Sequence, residues 1–381
     1  MIVQKIFLAF LFAGASVNGF AIPSCVQANR NQNQMRLFMS DVSGMLYQEQ
    51  EKLIVNRGEL EEEMMSKSAK PLEIMKIKIR GAGGGGGFGG SSSSRKGKNS
   101  SLKAEGKEYA KVLKKNGVVR IDNVLSNNVA DAMREYVYAL RKKSETEVAA
   151  GDIKSIQRFA DVLLKKDRCD LTLPFGEDII TEAMNEALRE SAVAQTIASI
   201  LGKDATLYEF STLISDPGSQ RQCLHPDTPF LEDMGPVLFT VFIALQDIRL
   251  DMGPTTFLPG THTLNAHTAF QDNDSTNGES RKDKLISGIE AVLGMLPKGS
   301  CSIFDSRLLH AGTSNKSESD SRALFYFSFK KKTVGYPGNP ASIRTELGAA
   351  QIPLSGLVND LDSFSKGKGH PMIDDLASRL R

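Results

Sequence analysis

The chain has 381 residues, of which 40% are hydrophobic and 24% charged, and its 47 basic and 45 acidic side chains leave a formal net charge of +2. This ordinary globular composition excludes collagen-like, coiled-coil and wholly disordered chains. No apolar run reaches the roughly 20 residues that a membrane-spanning helix needs, so we expect no membrane span in the mature chain.

Residues 1–42 have the pattern of two targeting signals in series. Lys5 precedes a short apolar run, as in a secretory signal peptide. The segment from Phe20 to Ser40 is basic, rich in amides and free of acidic residues, which is typical of a transit peptide. The junction Gly19-Phe20-Ala21 resembles the bipartite presequences of algae with secondary plastids. We therefore expect delivery to a plastid through the secretory route, with secretion or another endomembrane lumen as the alternative.

Cysteine usage agrees with a reducing compartment. Beyond the presequence only Cys169, Cys223 and Cys301 remain, at wide and irregular spacing. An odd number without a regular pattern predicts neither a disulfide framework nor a zinc site.

Residues 43–102 are predicted to be a linker region. The segment from Ser43 to Lys70 is rich in Glu and Lys with a thin apolar pattern, so we expect an exposed helix outside the core. The glycine run from Gly81 to Gly90, followed by serines and a basic cluster that begins at Arg95, is typical of a flexible tether. It lacks repeated RGG units and interleaved aromatic residues, so we expect no nucleic-acid binding.

A folded unit is predicted to begin near Lys103 and to extend to residue 335, followed by a C-terminal extension over 336–381. Its first part alternates helical patterns with short strands. We predict a short helix around Tyr109 to Leu113, a strand over 117–121, a helix over 129–141, a strand over 170–174, and helices over 178–189 and 191–201.

After Lys203 the chain becomes a series of short β-rich runs bounded by Gly, Pro, Asn or Asp. We predict strands over 207–214, 237–245, 255–258, 291–296, 301–304 and 323–329. Such a series indicates a sandwich or barrel, and with the preceding helices it gives an α+β fold. The alternating Phe325, Phe327 and Phe329 are predicted to be core, and the polar insertion from Leu264 to Leu285 to be a surface loop or a lid.

A histidine and an aspartate form the first element of a candidate metal site. His225 and Asp227 make an H-x-D triplet, and on an extended segment positions i and i+2 project to the same side, so both can reach one ion. Alone this triplet is weak, because a surface turn containing proline has the same pattern. His310, 85 positions further on, ends another β-rich run, and Arg322 opens the next strand.

These four residues together indicate a specific chemistry. Two imidazoles and one carboxylate on one face of a metal leave three open positions, as in non-haem Fe(II) oxygenases. A bidentate 2-oxoglutarate would occupy two of them and dioxygen (O2) the third. The far carboxylate of 2-oxoglutarate needs a buried cation, and the planar guanidinium of Arg322 matches it.

The run from about Lys107 to Lys332 resembles the phytanoyl-CoA dioxygenase-like branch of the Fe(II)/2-oxoglutarate oxygenases. The motifs that carry the resemblance follow in the order Asn116-Gly117-Val118-Val119, His225-Pro226-Asp227, Gly253-Pro254 through Gly260-Thr261-His262, Asp305-Ser306-Arg307-Leu308-Leu309-His310, and Arg322. The resemblance implies a double-stranded β-helix, or jelly roll, with helices packed on one side. It also implies that His225, Asp227 and His310 are the iron ligands and that Arg322 anchors 2-oxoglutarate.

The same resemblance bears on the reaction. Related halogenases replace the carboxylate ligand by a small residue, so the presence of Asp227 favours hydroxylation or a related oxidation. The N-terminal presequence differs from the peroxisomal address of the original phytanoyl-CoA enzymes, so we do not carry over a CoA thioester substrate. We expect an enzyme with a small-molecule substrate, whose identity and oligomeric state the sequence leaves open.

Several further residues are candidates for smaller roles. Tyr208 is predicted either to hydrogen-bond the cosubstrate or to be a partly buried core tyrosine, and Thr313 to contact the same carboxylate. His262 is predicted to orient its loop or to touch substrate, while His267 and His370 are interpreted as surface residues. Two other functions remain open: a catalytically silent jelly-roll module that binds a metal or metabolite, and an interaction protein that acts through the basic tether near Arg95.

Overall fold

A computed structural model describes residues 65, 69–73, 94–160, 167–231, 234–276 and 278–364. The predicted presequence over 1–42, the glycine run over 81–90 and His370 lie outside these residues, so the plastid address stays a prediction.

The strands are β1 (Lys70–Pro71), β2 (Val118–Ile121), β3 (Arg168–Thr172), β4 (Thr206–Ser215), β5 (Leu238–Ala244), β6 (Thr255–Phe257), β7 (Val292–Leu293), β8 (Cys301–Asp305), β9 (His310–Gly312) and β10 (Arg322–Lys330). The α-helices are α1 (Ser94–Asn116), α2 (Asn127–Ala150), α3 (Asp178–Asn185), α4 (Val193–Leu201), α5 (Leu264–Gln271), α6 (Arg281–Gly288), α7 (Thr345–Ala350) and α8 (Leu354–Phe364).

The strands form two sheets. The larger has six strands in the order β2-β8-β5-β10-β4-β3, and all of its pairings are antiparallel. The smaller has the order β1-β7-β6-β9, antiparallel except for the pair between β1 and β7. The molecule has the predicted α+β jelly-roll fold, with helices packed on one side of the six-stranded sheet.

Strand β10 shows how the large sheet separates two environments. All nine of its residues are buried, and successive side chains alternate between the two faces. Phe325, Phe327 and Phe329 join a hydrophobic cluster with helical residues such as Met133 and Ile197, which confirms their prediction as core. The opposite face of the strand faces the other sheet.

Two helices on the outer side are longer than their apolar patterns predict. Helix α1 begins at Ser94, before the expected start at Lys103, because its first turns are polar and carry no amphipathic signal. Helix α2 continues to Ala150 and ends where Gly151 takes up a left-handed conformation with φ of 81°. No helix of the described residues is long and apolar enough to cross a membrane.

The periphery differs from one expectation and adds detail to two others. Met65 lies in the segment expected to lie outside the core but is 2% exposed, so that expectation was wrong at this position. Leu72, just after the segment, is 7% exposed, and the Arg120 side chain donates a hydrogen bond to its carbonyl. The insertion from Leu264 to Leu285, predicted to be a surface loop or a lid, is largely helical, and Ile286 just after it is fully buried. The C-terminal extension contributes Leu357 and other α8 residues to the main core.

Candidate metal centre

Two segments that are distant in sequence bring His225 and His310 together. The backbone N–H of each residue donates to the carbonyl of the other, at 3.0 and 2.9 Å. In the antiparallel register this reciprocal pair places the two rings side by side, with centroids 4.6 Å apart. The short strand β9, which was not predicted from the sequence, supplies His310 and holds it against β6 through the pair with Phe257.

Asp227 completes the cluster. Its backbone N–H donates to the Ser306 carbonyl at 2.8 Å, and Thr228 makes the same contact at 3.1 Å, so the turn after His225 is fixed to the end of β8. The Asp227 Oδ1 atom lies 3.7 Å from Nε2 of His225 and 3.6 Å from Nε2 of His310. The three residues form a group whose ligand atoms all lie within 4.8 Å of one another.

The hydrogen bonds of the imidazoles determine which nitrogen is available to a metal. Nδ1 of His225 lies 2.7 Å from the Cys223 carbonyl, and Nδ1 of His310 lies 2.9 Å from the Leu308 carbonyl. A carbonyl only accepts, so each Nδ1 carries the proton and each Nε2 presents its lone pair towards Asp227. This is the arrangement in which a backbone carbonyl orients a metal-binding histidine.

The donor set fits a divalent first-row metal. Two neutral imidazoles and one carboxylate on one side of an ion are the ligands of non-haem iron sites. With bonds of about 2.1 Å, neighbouring ligand atoms of one ion stand about 3 Å apart. The distances from Asp227 Oδ1 to Nε2 of His310 and of His225, 3.6 and 3.7 Å, exceed this separation by well under 1 Å. Side-chain rotation can close such a difference.

A buried ion pair fixes the segment that leads to His310. Arg307 donates from Nη2 and Nε to the Asp305 carboxylate at 2.6 and 2.9 Å, and its backbone N–H donates to the same group at 3.0 Å. Both side chains are almost fully buried, at 7% and 2% exposed. The sequence motif contains these two residues, but only the structure shows that they pair with each other to form the turn before the histidine.

An apolar wall joins the metal-binding cluster to the inner face of the large sheet. The ring of Phe304 lies 4.9 Å from that of His310, and Phe242 lies 5.0 Å from Phe304 and 5.5 Å from Tyr326. Consecutive rings therefore lead from His310 to β10. Such a wall limits the access of water to one side of the cluster.

A buried acid lies on the same inner face. Glu209 of β4 is 5% exposed and accepts a hydrogen bond from the Asn339 side-chain amide at 3.1 Å. Burial, and secondarily the charge of Asp227, raises the pKa of Glu209 to about 8. Sequence reasoning passed over this residue, because a lone glutamate between hydrophobic residues carries no motif.

Arg322 is fully buried at the start of β10, as expected for an anchoring guanidinium. Its Nη1 donates to the Gly253 carbonyl and its Nη2 to Ser215 Oγ at 3.1 Å, while Nε has no hydrogen-bond partner among the described residues. Burial, and secondarily the charge of Arg168, lowers the pKa of Arg322 to about 9. The side chain therefore keeps one donor nitrogen, Nε, without a described partner in a site that disfavours its charge.

Two predicted cosubstrate contacts have protein partners in the structure. The Tyr208 hydroxyl donates to the Asn339 carbonyl, and its ring packs against the apolar cluster that includes Val237 and Val334. The Thr313 hydroxyl donates to the Pro254 carbonyl at 2.7 Å. The role of both residues towards a cosubstrate stays a prediction.

The remaining described histidines lie outside the cluster. His262 Nε2 is 3.1 Å from the Lys114 carbonyl, a contact that orients its loop against α1. His267, expected at the surface, is 6% exposed and its Nε2 donates to the Arg307 carbonyl at 2.7 Å. That expectation was wrong because the insertion folds into α5, which packs this side of its helix inward.

The chain is similar to known proteins in sequence and in fold. The family model for phytanoyl-CoA dioxygenase matches residues 113–324, more than half of the chain. Among solved structures, the epimerase SnoN from nogalamycin biosynthesis is similar over 62% of this chain and 95% of its own, with 17% identity and a TM-score of 0.41. AviO1 from Streptomyces viridochromogenes (61% and 97% covered, 16% identity, TM-score 0.41) and HygX from Streptomyces hygroscopicus (60% and 88%, 11%, 0.40) are also similar.

Proposed function

Because the chain belongs to the phytanoyl-CoA dioxygenase family, we propose that it is a Fe(II)/2-oxoglutarate-dependent dioxygenase that hydroxylates a small molecule, with release of succinate and CO2. The observation that carries this proposal is the convergence of His225, Asp227 and His310, whose ligand atoms lie within 4.8 Å of one another. A silent metal-binding module would need the same cluster, so the assay below separates binding from turnover.

Each residue has a defined task in this proposal. His225 and His310 bind the metal through Nε2, since their Nδ1 atoms donate to the Cys223 and Leu308 carbonyls. Asp227 supplies the charged oxygen, and its carboxylate is positioned by the backbone contact with Ser306. Iron bound there, with 2-oxoglutarate and dioxygen, supplies the oxidising power for attack on a substrate C–H bond.

Other residues prepare the surroundings of the metal. Arg322 holds the far carboxylate of 2-oxoglutarate, for which its unused Nε is a donor. The rings of Phe304 and Phe242 exclude water from one side of the site. Asp305 and Arg307 act on the site only through His310, whose position they fix.

The test is anaerobic reconstitution of the purified chain with Fe(II) and 2-oxoglutarate. We expect a weak visible charge-transfer band and, after admission of air, slow release of succinate even without substrate. His310→Ala should abolish both signals, because it removes one of three ligands. His262→Gln is the matched control, since this histidine lies outside the cluster and should leave both signals intact.

Two results would count against the proposal in different ways. Succinate release at the wild-type rate by iron-replete His310→Ala would remove His310 from the site. A charge-transfer band without succinate release, across a screen of metabolites, would favour the silent module.

A further inference from the structure

Glu209 begins a row of polar side chains that crosses the inner face of the large sheet. In the register of the sheet, Glu209 on β4 is opposite Ser328 on β10, and Ser328 is opposite Thr240 on β5. Residues directly opposite each other in antiparallel strands project from the same face, with Cβ atoms about 5 Å apart. All three side chains are buried, at 5%, 0% and 2% exposed. These three residues are called the polar row below.

The polar row leads to the metal-binding cluster. Thr240 is opposite Phe304 on the next strand, β8, and the Phe304 ring lies 4.9 Å from that of His310. The charge of Asp227 also reaches the row, since it contributes to the raised pKa of Glu209. A molecule in contact with the polar row can therefore extend over apolar rings to the metal.

The polar row has more hydrogen-bonding groups than the protein satisfies. Ser328 Oγ and Thr240 Oγ1 have no hydrogen-bond partner among the described residues. Ser328 lies close enough to Glu209 to offset part of the rise in the pKa of that carboxyl, but outside hydrogen-bond geometry. Within the described part of the chain, the Glu209 carboxylate accepts one hydrogen bond, from the Asn339 amide to Oε1. Because buried polar groups are nearly always paired, the free positions indicate a ligand.

The surroundings of the polar row are negatively charged. Burial, followed by the charges of Asp227 and Asp170, raises the pKa of Glu209 to about 8, and no described cation lies close enough to lower it. Lys330, two residues beyond the row on β10, is not a counter-ion, because its Nζ donates to two backbone carbonyls at 2.7 and 3.0 Å. The Glu209 carboxyl is therefore largely protonated at neutral pH, and a bound cation would stabilise its charged form.

We propose that the polar row binds the primary substrate through an amine, so that the substrate is an apolar molecule with an ammonium group. An ammonium group has three N–H donors, and the row offers three side chains with oxygen acceptors. It also supplies the cation that a buried Glu209 carboxylate needs. The apolar body then lies against the rings of Phe304 and Phe242, with a C–H bond towards the metal. This inference rests on the proposed function and adds the class of its substrate.

The experiment is isothermal titration calorimetry of the protein loaded with Mn²⁺ and 2-oxoglutarate. Three probes with the same number of carbon atoms, hexylamine, hexan-1-ol and hexanoate, differ in their polar group. We expect hexylamine to bind roughly 10- to 100-fold more tightly than hexan-1-ol, the range for a hydrogen bond to a charged group. Hexanoate should bind most weakly, because its charge is repelled by the acids around the polar row.

Glu209→Gln should remove the preference for the amine while the protein stays folded. The amide keeps the size of the side chain and an oxygen atom for the Asn339 amide, but it cannot become negatively charged. The affinity for hexylamine should fall to that for hexan-1-ol, while 2-oxoglutarate binding, titrated separately, should not change. Glu182→Gln is the matched control, because Glu182 is exposed on the helical side and its loss should leave all affinities unchanged.

Ser328→Ala tests the polar row without changing its acid. The Ser328 hydroxyl has no described partner, so its removal should leave stability against denaturant unchanged or raised. The affinity for hexylamine should nevertheless fall roughly 3- to 10-fold, the range for one neutral hydrogen bond. A purely structural role would give the opposite result, a loss of stability with unchanged affinity. This variant decides the question if Glu209→Gln does not fold.

The outcomes that contradict the inference differ from those that contradict its premise. Failure of hexylamine to bind, or equal affinity for hexylamine and hexan-1-ol, would overturn the inference. An amine preference that persists in Glu209→Gln would overturn it as well, and so would unchanged hexylamine affinity in Ser328→Ala. The proposed function survives each of these results if the Mn²⁺-loaded wild type binds 2-oxoglutarate. Failure of that binding would instead refute the proposed function.

Discussion

The two faces of strand β10 are equally buried but have opposite chemistry. The outer face presents Phe325, Phe327 and Phe329 to the helices, in one continuous apolar cluster. The inner face carries Arg322, Tyr326 and other residues, most of them with polar groups, that point towards the second sheet. Burial therefore does not distinguish the faces, whereas the presence of polar atoms does.

The inner face keeps these polar groups at an energetic cost. The Tyr326 hydroxyl donates to the Asp170 carboxylate at 2.6 Å, and Ser342 donates to the same oxygen at 2.9 Å. Burial nevertheless raises the pKa of Asp170 to about 6, since these bonds offset only part of the loss of solvation. Apolar residues of the same size would stabilise the sheet more, so we infer that the inner face is shaped by ligand binding and the outer face by stability.

The largest expected effect on stability is at the outer face of β10. Phe327→Ala should lower the free energy of unfolding by about 3–5 kcal/mol, because it removes a fully buried ring and leaves a cavity. Denaturant unfolding followed by circular dichroism measures this change. Affinity for 2-oxoglutarate in the fraction that stays folded should be that of the wild type. Tyr336→Ala, which removes a 67% exposed ring, is the control and should have little effect.

The opposite result for Phe327→Ala would contradict the contrast between the two faces of β10. A Phe327→Ala protein of normal stability but with weakened 2-oxoglutarate binding would show that the outer face also serves the ligand. The distinction drawn from β10 would then have no functional meaning.

A smaller effect is expected from Gly253→Ala, in the loop that contacts Arg322 at the start of β10. Gly253 has φ of +71°, and a Cβ there would lie 2.5 Å from the Thr313 carbonyl oxygen, part of the backbone. We expect a loss of about 2–4 kcal/mol, from the left-handed conformation together with steric overlap. Binding of 2-oxoglutarate should also weaken, because the Gly253 carbonyl accepts from Arg322.

Gly260→Ala provides the matched comparison for this prediction. Gly260 has a similar φ of +82°, but nothing lies within 4 Å of its Cβ position. Its substitution should cost only the conformational part, about 1–2 kcal/mol, and leave ligand affinity unchanged. Equal stability losses in the two variants, measured by the same unfolding experiment, would show that the loop crossing tolerates a side chain.

Sequence reasoning succeeded for the features that have a local pattern. The strands of the large sheet were predicted to within two residues at every end, because their apolar runs are continuous and bounded by turn residues. The H-x-D triplet, His310 and Arg322 were found because the motif fixes residue types at characteristic positions. The structure brings His225, Asp227 and His310 together, as the motif suggested.

Arg168 and Met65 could not be found in this way. An arginine before a short strand is ordinarily exposed, and its burial depends on Gly312 and Gln220, which are distant in sequence. Met65 lies in a polar segment and is buried in a cluster with residues that are distant in sequence, such as Leu224 and Leu309. Both depend on long-range contacts, which a local pattern does not contain.

The smallest effect is expected furthest from the inner face, at the start of α2. Ser126 has an extended backbone, with ψ of 155°, and its Oγ accepts a hydrogen bond from the Val129 N–H at 3.3 Å. Ser126→Ala should therefore lower the free energy of unfolding by about 1 kcal/mol, measured by denaturant unfolding. Ser126→Asp restores an acceptor beside the helix N-terminus and should recover most of the loss. Because Glu186 accepts from the Ser126 backbone N–H in either variant, a loss that the aspartate does not recover would mean that the helix start depends on Glu186 and not on the serine hydroxyl.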